Sequence, residues 1–323
     1  MLRSMKDLEG YAISAINGTI GHVEDFYFDD EAWVIRYLVV DTGAWLLSRR
    51  VLISPVAIGQ PNWADKLLPV AITTEQVKNS PDIDTQKPVS RHQESQYLEY
   101  YGYPYYWLGD AVWGQGAYPN MALPGVASAT GNRQVQAEHV LTDAEARLTQ
   151  NDDPHLRSCK EVMDYHIHAT DGDIGQVQGM LIDDENWRVR YLVVATSNWW
   201  FGHQVLIAPQ WIHDVSWPDA KVSVNLTRQA VQDAPPYEPA AQLDRAREAG
   251  IYKHYGRAGY WADELIRESA VSRQCLDGRN CLSNRAVVER LSAPKALTST
   301  CHSREQPRSR YVRYRTDPAR ACL

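Results

Sequence analysis

Across residues 2–81 the apolar positions come in short runs that alternate and stop, and no long helical period governs the segment. Ile20 to Phe28 predicts one strand and Val34 to Asp41 another, with Asp29-Asp30-Glu31 as the turn between them. Ile35, Tyr37 and Val39 alternate with Arg36, Leu38 and Val40, so part of that strand is apolar on both faces. Arg50 to Ser54 and Leu67 to Ile72 supply further short strands. Asn17-Gly18 and Asp171-Gly172 are dipeptides that favour a type I′ hairpin, in which both central residues take positive φ. Short strands separated by turn signals predict an all-β dominated fold built on a small antiparallel β-barrel.

The pattern then recurs. Leu2-Arg3-Ser4 returns as Leu156-Arg157-Ser158, and the same offset holds without a gap for about 80 positions. Gly18, Ile20, Gly21 and Val23 return as Gly172, Ile174, Gly175 and Val177. Asp29-Asp30-Glu31 returns as Asp183-Asp184-Glu185, and Arg36-Tyr37-Leu38-Val39-Val40 as Arg190-Tyr191-Leu192-Val193-Val194. Val51-Leu52-Ile53 with Pro55 returns as Val205-Leu206-Ile207 with Pro209. Two copies of one domain are expected, at residues 2–81 and 156–235.

Each copy is expected to end in a short helix. Thr73-Thr74-Glu75-Gln76 fits a capping box, whereas the second copy keeps Thr227 but has Ala230 in place of Gln76, which predicts a weaker cap. Pro81 and Pro235 mark the stops. Matching aromatic segments follow, at 82–107 and 236–261. Tyr101, Tyr106 and Trp107 in the first correspond to Tyr255, Tyr260 and Trp261 in the second, and these six are the candidate interaction residues. The same aromatic residues could instead cover a barrel end or join the two barrels. Residues 108–155 read as a linker, flexible over the Gly-, Ala- and Pro-rich stretch Gly109 to Asn132, with a short helix near Thr142 to Gln150. Residues 262–323 read as a disordered basic tail, or as the product of a frame change, which resequencing would test.

Composition narrows the function classes. Of the 323 residues, 44% are hydrophobic and 23% charged, enough apolar material for compact domains. No apolar run approaches the roughly 18 residues of a membrane-spanning helix, and Met1 to Gly10 lacks the apolar core of a secretory signal. Net charge is -7, and the basic tail leaves the remainder more acidic still, so specific nucleic-acid binding is disfavoured. Four of five cysteines lie in the tail, and Cys159 alone lies in the body, which fits a reducing, cytoplasmic setting.

With these motifs in view, both copies resemble PRC-barrel domains, the module of the photosynthetic reaction-centre H subunit and of the ribosome-maturation factor family. The resemblance rests on the Leu-Arg-Ser opening, Gly-x-Ile-Gly-x-Val, Asp-Asp-Glu, Arg-Tyr-Leu-Val-Val and Val-Leu-Ile-x-Pro, over residues 2–107 and 156–261. It implies a bacterial protein of two tandem barrels. The H subunit carries a membrane helix that this chain lacks, and the ribosome-maturation proteins pair the barrel with a different one.

Candidate chemistry is sparse. The twice-present Asp-Asp-Glu could offer oxygens to Ca²⁺, but without the spacing of an EF-hand loop it reads as a solvated turn. His166 and His168 share a strand face, where surface alternation is the simpler reading than metal binding. Cys159 stands where the first copy has Met5, which points to packing. No nucleophile elbow, phosphate loop or dinucleotide fingerprint is present. The expectation is a non-enzymatic interaction module without cofactor, binding a protein partner or itself as a homodimer or through barrel–barrel packing. The alternatives are a peripheral component of a photosynthetic or electron-transfer membrane complex, and a metal- or ligand-binding enzyme using Asp-Asp-Glu or His166/His168.

Overall fold

The computed structural model describes residues 1–81, 89–109, 111–114, 116–122, 155–196 and 203–262. The expected helix at Thr142 to Gln150 and nearly all of the tail lie outside these residues. Met1–Gly259 forms one compact unit, and Tyr260–Leu323 is a separate one.

The first copy runs β1 (Leu2–Ser4), α1 (Met5–Leu8), β2 (Ala12–Ala15), β3 (Gly18–Asp29), β4 (Val34–Asp41), β5 (Arg50–Ile53), β6 (Leu67–Pro69) and α2 (Thr74–Lys78), followed by α3 (Arg91–Tyr101). The second copy repeats them as β7 (Leu156–Ser158), α4 (Cys159–Val162), β8 (His166–Ala169), β9 (Gly172–Asp183), β10 (Val189–Thr196) and β11 (Gln204–Ile207). It continues through β12 (Ile212–Ser216), β13 (Lys221–Val224), α5 (Arg228–Gln232) and α6 (Arg245–His254). Both alternating faces of β4 are buried, as its two-sided apolar pattern requires.

Two expectations need correction. The sheets are mixed rather than antiparallel, because β6 lies parallel to β2 and β13 parallel to β8. The strand order β5-β4-β3-β2-β6 has two distinct ends among the described residues, so each half is an open sheet rather than a closed barrel. The turns after β2 and β8 also differ from type I′. Ala15 pairs with Gly18, so Ile16-Asn17 forms the loop, and neither residue has positive φ. The Asn17 carboxamide oxygen accepts the N–H of Thr74 at 2.9 Å, and Asp171 does the same for Arg228 at 2.7 Å. The dipeptide thus spends its side chain on a helix start rather than on a mirror-image turn.

The second glycine of Gly-x-Ile-Gly has a steric cause. A Cβ on Gly21 would lie 1.9 Å from the Asp41 carbonyl oxygen, and one on Gly175 would lie 1.9 Å from that of Ala195. Only glycine allows the long strand to cross its neighbour there.

The two copies exchange their opening strands. Strand β3 has twelve residues and β2 only four, so the far end of its edge needs another partner. That partner is β7, which pairs Leu156 with Asp29 and Ser158 with Tyr27. Reciprocally, β1 pairs Leu2 with Asp183 and Ser4 with Leu181 on β9. The turns beside them interlock, since Ile35 N–H donates to Trp187 O and Val189 N–H to Trp33 O, both at 2.8 Å. Trp33 and Trp187 take left-handed φ of 53° and 62°, which turns those carbonyls toward the other copy.

Candidate functional site

The Asp-Asp-Glu turns sit at this junction and divide their labour. Asp29, 3% exposed, accepts the N–H groups of Glu31 and Ala32 on one oxygen and meets the Arg36 guanidinium at 3.3 Å with the other. Burial opposes its ionisation, but Arg36, the Ala32 N–H and the nearby Arg91 and His155 outweigh that and hold its carboxyl below the usual range. Asp30 accepts Arg157 from the other copy's opening strand at 3.1 Å, as Asp184 accepts Arg3 at 2.7 Å. Glu31 and Glu185 are exposed. The expectation of a solvated turn therefore fails for Asp29 and Asp30, and the motif is a latch between copies. Among the described residues no group of three or more His, Cys, Asp or Glu could hold a metal. His168 Nδ1 instead lies 2.7 Å from exposed Asp173, and Cys159 is buried.

A second cluster was not expected from the pattern. Glu94 on α3 has no exposure, yet it takes the Tyr37 hydroxyl on Oε1 at 2.9 Å and the Tyr106 hydroxyl on Oε2 at 3.0 Å. His155 Nε2 lies 2.9 Å from Oε2 and Arg91 at 3.5 Å. Burial, then the Glu94 charge, pushes both tyrosine hydroxyls well above their ordinary pKa, so they remain donors. The second copy repeats the core of this arrangement. Tyr191 donates to Glu248 at 2.9 Å, and Arg245 lies 3.1 Å from it. Helix α3 presents Glu94 inward because Ser90 and Gln93 form a capping box and Gly102, at φ 69°, ends the helix.

The third feature is a pair of equivalent grooves. In one, the segment after α3 covers the site. Arg36 lies under the Tyr106 ring at 3.5 Å and the Trp113 ring at 4.9 Å, and donates to Val112 O at 2.7 Å. Trp113, 2% exposed, donates its indole N–H to Asn186 O at 3.0 Å. At Val112 and Trp113 this anchoring replaces the expected flexibility, and residues 123–132 of the expected flexible linker lie outside the described residues. In the other groove, Trp33, Arg188, Arg190, Gln210, His213 and Trp217 are among the residues that line an open space of about 570 Å³.

The six candidate interaction residues fall in different settings. Tyr106 is consumed by Glu94 and Arg36, and Tyr101 stacks on Tyr103 at 5.5 Å, its hydroxyl pushed up to about 12 by burial. Trp107 is half-buried beside Tyr105 and Arg91. Tyr255 is buried against Trp211 at 4.7 Å. Tyr260 and Trp261 belong to the C-terminal unit, where their rings meet edge to face at 5.1 Å. Glu94, Trp113 and His155 were not singled out in the sequence. The available signals were the Ser90-x-x-Gln93 cap and the recurrence of Arg91 and Glu94 as Arg245 and Glu248.

Sheets of this order, with a helix folded over one face and an opening strand lent to the other copy, define a small β-module that pairs with its own repeat. Residues 3–68 match the family model described as PRC-barrel domain. No curated protein matches the chain. Among the described residues no helix is long and apolar enough to cross a membrane.

Proposed function

We propose that the chain is a tandem PRC-barrel protein, the second copy included, that works as a non-enzymatic protein-interaction module in the bacterial cytoplasm. The observation that carries this reading is the use made of the polar residues. The groups with chemical potential are engaged by neighbours: Asp29 by Arg36, Glu94 by Tyr37 and Tyr106, and Asp30 by Arg157 of the other copy, the last of these tying the two copies together. A rigid pair of sheets with aromatic surface between them suits recognition of a partner better than turnover of a substrate. Tyr101, Trp107, Tyr255 and the Tyr260-Trp261 pair are the proposed aromatic contributors, with Tyr106 as their internal anchor.

Cross-linking in lysate of the source organism, with the whole chain as bait, tests the reading. A partner held by the wild type and lost when Trp107 and Trp261 become Ser, in a bait with an unchanged circular-dichroism spectrum, supports it. Recovery of the bait alone removes it.

A further inference from the structure

The contacts that join the two halves repeat under the offset that relates the copies. Leu2 faces Asp183 as Leu156 faces Asp29, and Arg3 meets Asp184 as Arg157 meets Asp30. Asp184 N–H donates to Met1 O as Asp30 N–H donates to His155 O. Within each half the same arginine is steadied by an equivalent ring, Arg3 over Trp63 at 3.5 Å and Arg157 over Trp217 at 4.4 Å. Each contact thus has a counterpart in which the halves trade roles. That reciprocity is the mark of a two-fold interface between identical subunits, here made inside one chain. These contacts between halves link residues 1–35 to residues 155–189, and none of them involves the connection 123–154.

Two details show which halves suit each other. Asp25 accepts the Ser158 hydroxyl and the Lys160 N–H, whereas its equivalent in the second half is Gly179. His155 reaches Glu94, and its equivalent in the first half is Met1. Two second halves together forgo the Asp25 contacts, and two first halves together forgo the His155 contact. The unlike pairing keeps both.

We propose that the surface joining the halves also joins two copies of this chain, the first half of each pairing with the second half of the other. The exchanged dimer contains two junctions with the same contacts as the one inside a single chain, so only the connection distinguishes the two forms. A connection of this length holds the halves at an effective concentration on the order of 1 mM, so single chains prevail well below that and dimers gain as it is approached. This goes beyond the interaction-module reading, because the partner is a second copy of the chain and no other protein is needed.

Two full-length variants test it by size-exclusion chromatography with light scattering, one of them carrying an affinity tag. Asp30→Arg sets two arginines against each other within its own chain, and Arg157→Asp sets two carboxylates against each other within its own. Only in a mixed, exchanged dimer does each charge meet its opposite, altered half with altered half and unaltered with unaltered. Unfolded together in denaturant and refolded at about 0.1 mM, the pair should give tagged–untagged dimer at least about tenfold above the dimer of either variant alone. As much dimer in a single variant as in the mixture overturns the proposal, as does a mixture that stays at the mass of one chain. The second measurement uses the wild type, refolded at about 1 mM or at about 0.01 mM and compared after dilution. Only the concentrated sample should hold dimer, and its absence there overturns the proposal even where the variants fail to fold. A foreign protein captured by cross-linking while no exchanged dimer forms leaves the interaction-module reading standing and refutes this one.

Discussion

The two halves of Met1–Gly259 descend from one pattern but finish it differently. In the first, chain that follows α3 supplies Tyr106, Trp113 and, further on, His155, and together they close the groove over Arg36 and complete the Glu94 cluster. In the second, Tyr191, Glu248 and Arg245 recreate the centre of the cluster, while the groove beside Arg190 is open among the described residues. The shared part is structural and the unshared part is where function can differ. A duplicated domain need conserve only what holds it together, so the surface of one copy is released for another use.

The difference is broken most severely at Glu94. Replacing it with Ala leaves the Tyr37 and Tyr106 hydroxyls, His155 and Arg91 without their common acceptor in a site with no solvent. We expect a loss of about 3–5 kcal/mol, read from chemical denaturation. A loss below about 1 kcal/mol would show that the cluster does not hold α3 to the sheet. Trp113→Ala comes next, at about 3 kcal/mol, through loss of a buried indole.

Gly21→Ala and Gly175→Ala probe the part that the halves share. Each added methyl meets a carbonyl oxygen at 1.9 Å on the neighbouring strand, so each should cost about 2–3 kcal/mol, and the two costs should agree. A large disagreement would mean that one sheet can shift where the other cannot.

Asp29→Asn should remove about 1–3 kcal/mol at neutral pH, because Arg36 then stays buried without its anion. The pH dependence has a definite sign. The folded carboxyl ionises below its unfolded value near about pH 4, so its stabilisation is complete above that pH and is withdrawn as pH falls through the depressed value. The gap between wild type and variant should therefore narrow on acidification below about pH 4. Asp25, pushed up by burial, acts in the opposite sense and is present in both proteins, so it cancels from the difference, whereas Asp30, raised by burial and also by the Asp29 charge, loses part of that rise in the variant.

Much of the fold was legible because its signals are local or periodic. The strands, the repeat and the Thr73 cap follow from alternation, offset and a four-residue motif. Helix α3 was missed because its buried face includes Glu94 and Ser95 as well as Tyr97 and Leu98, so apolar period understates it. Trp113 was lost in a Gly- and Ala-rich stretch, where composition reports flexibility and a single anchor overrides it. Asp29 looked solvated because a turn carboxylate usually is. Its burial depends on Arg36 and on a strand from residues 156–158, which no local window contains. The exchange of opening strands was likewise invisible, since Leu-Arg-Ser reads the same whichever sheet it joins.

The smallest effect tests the finest sequence distinction between the halves. Thr73 accepts the Gln76 N–H at 3.2 Å while Gln76 returns a carbonyl oxygen to the Thr73 N–H at 2.9 Å. Thr227 accepts only the Ala230 N–H, at 3.2 Å, because Ala230 has nothing to return. Thr73→Ala should therefore cost about 1 kcal/mol and Thr227→Ala about half as much, measured by thermal unfolding of the whole chain. Ala230→Gln should restore the second box and raise stability by a few tenths of a kcal/mol, roughly the contribution of the reciprocal bond. Equal losses at Thr73 and Thr227 would mean that the returned bond adds nothing at an exposed helix start. The asymmetry between the caps would then be a difference in sequence without a difference in energy.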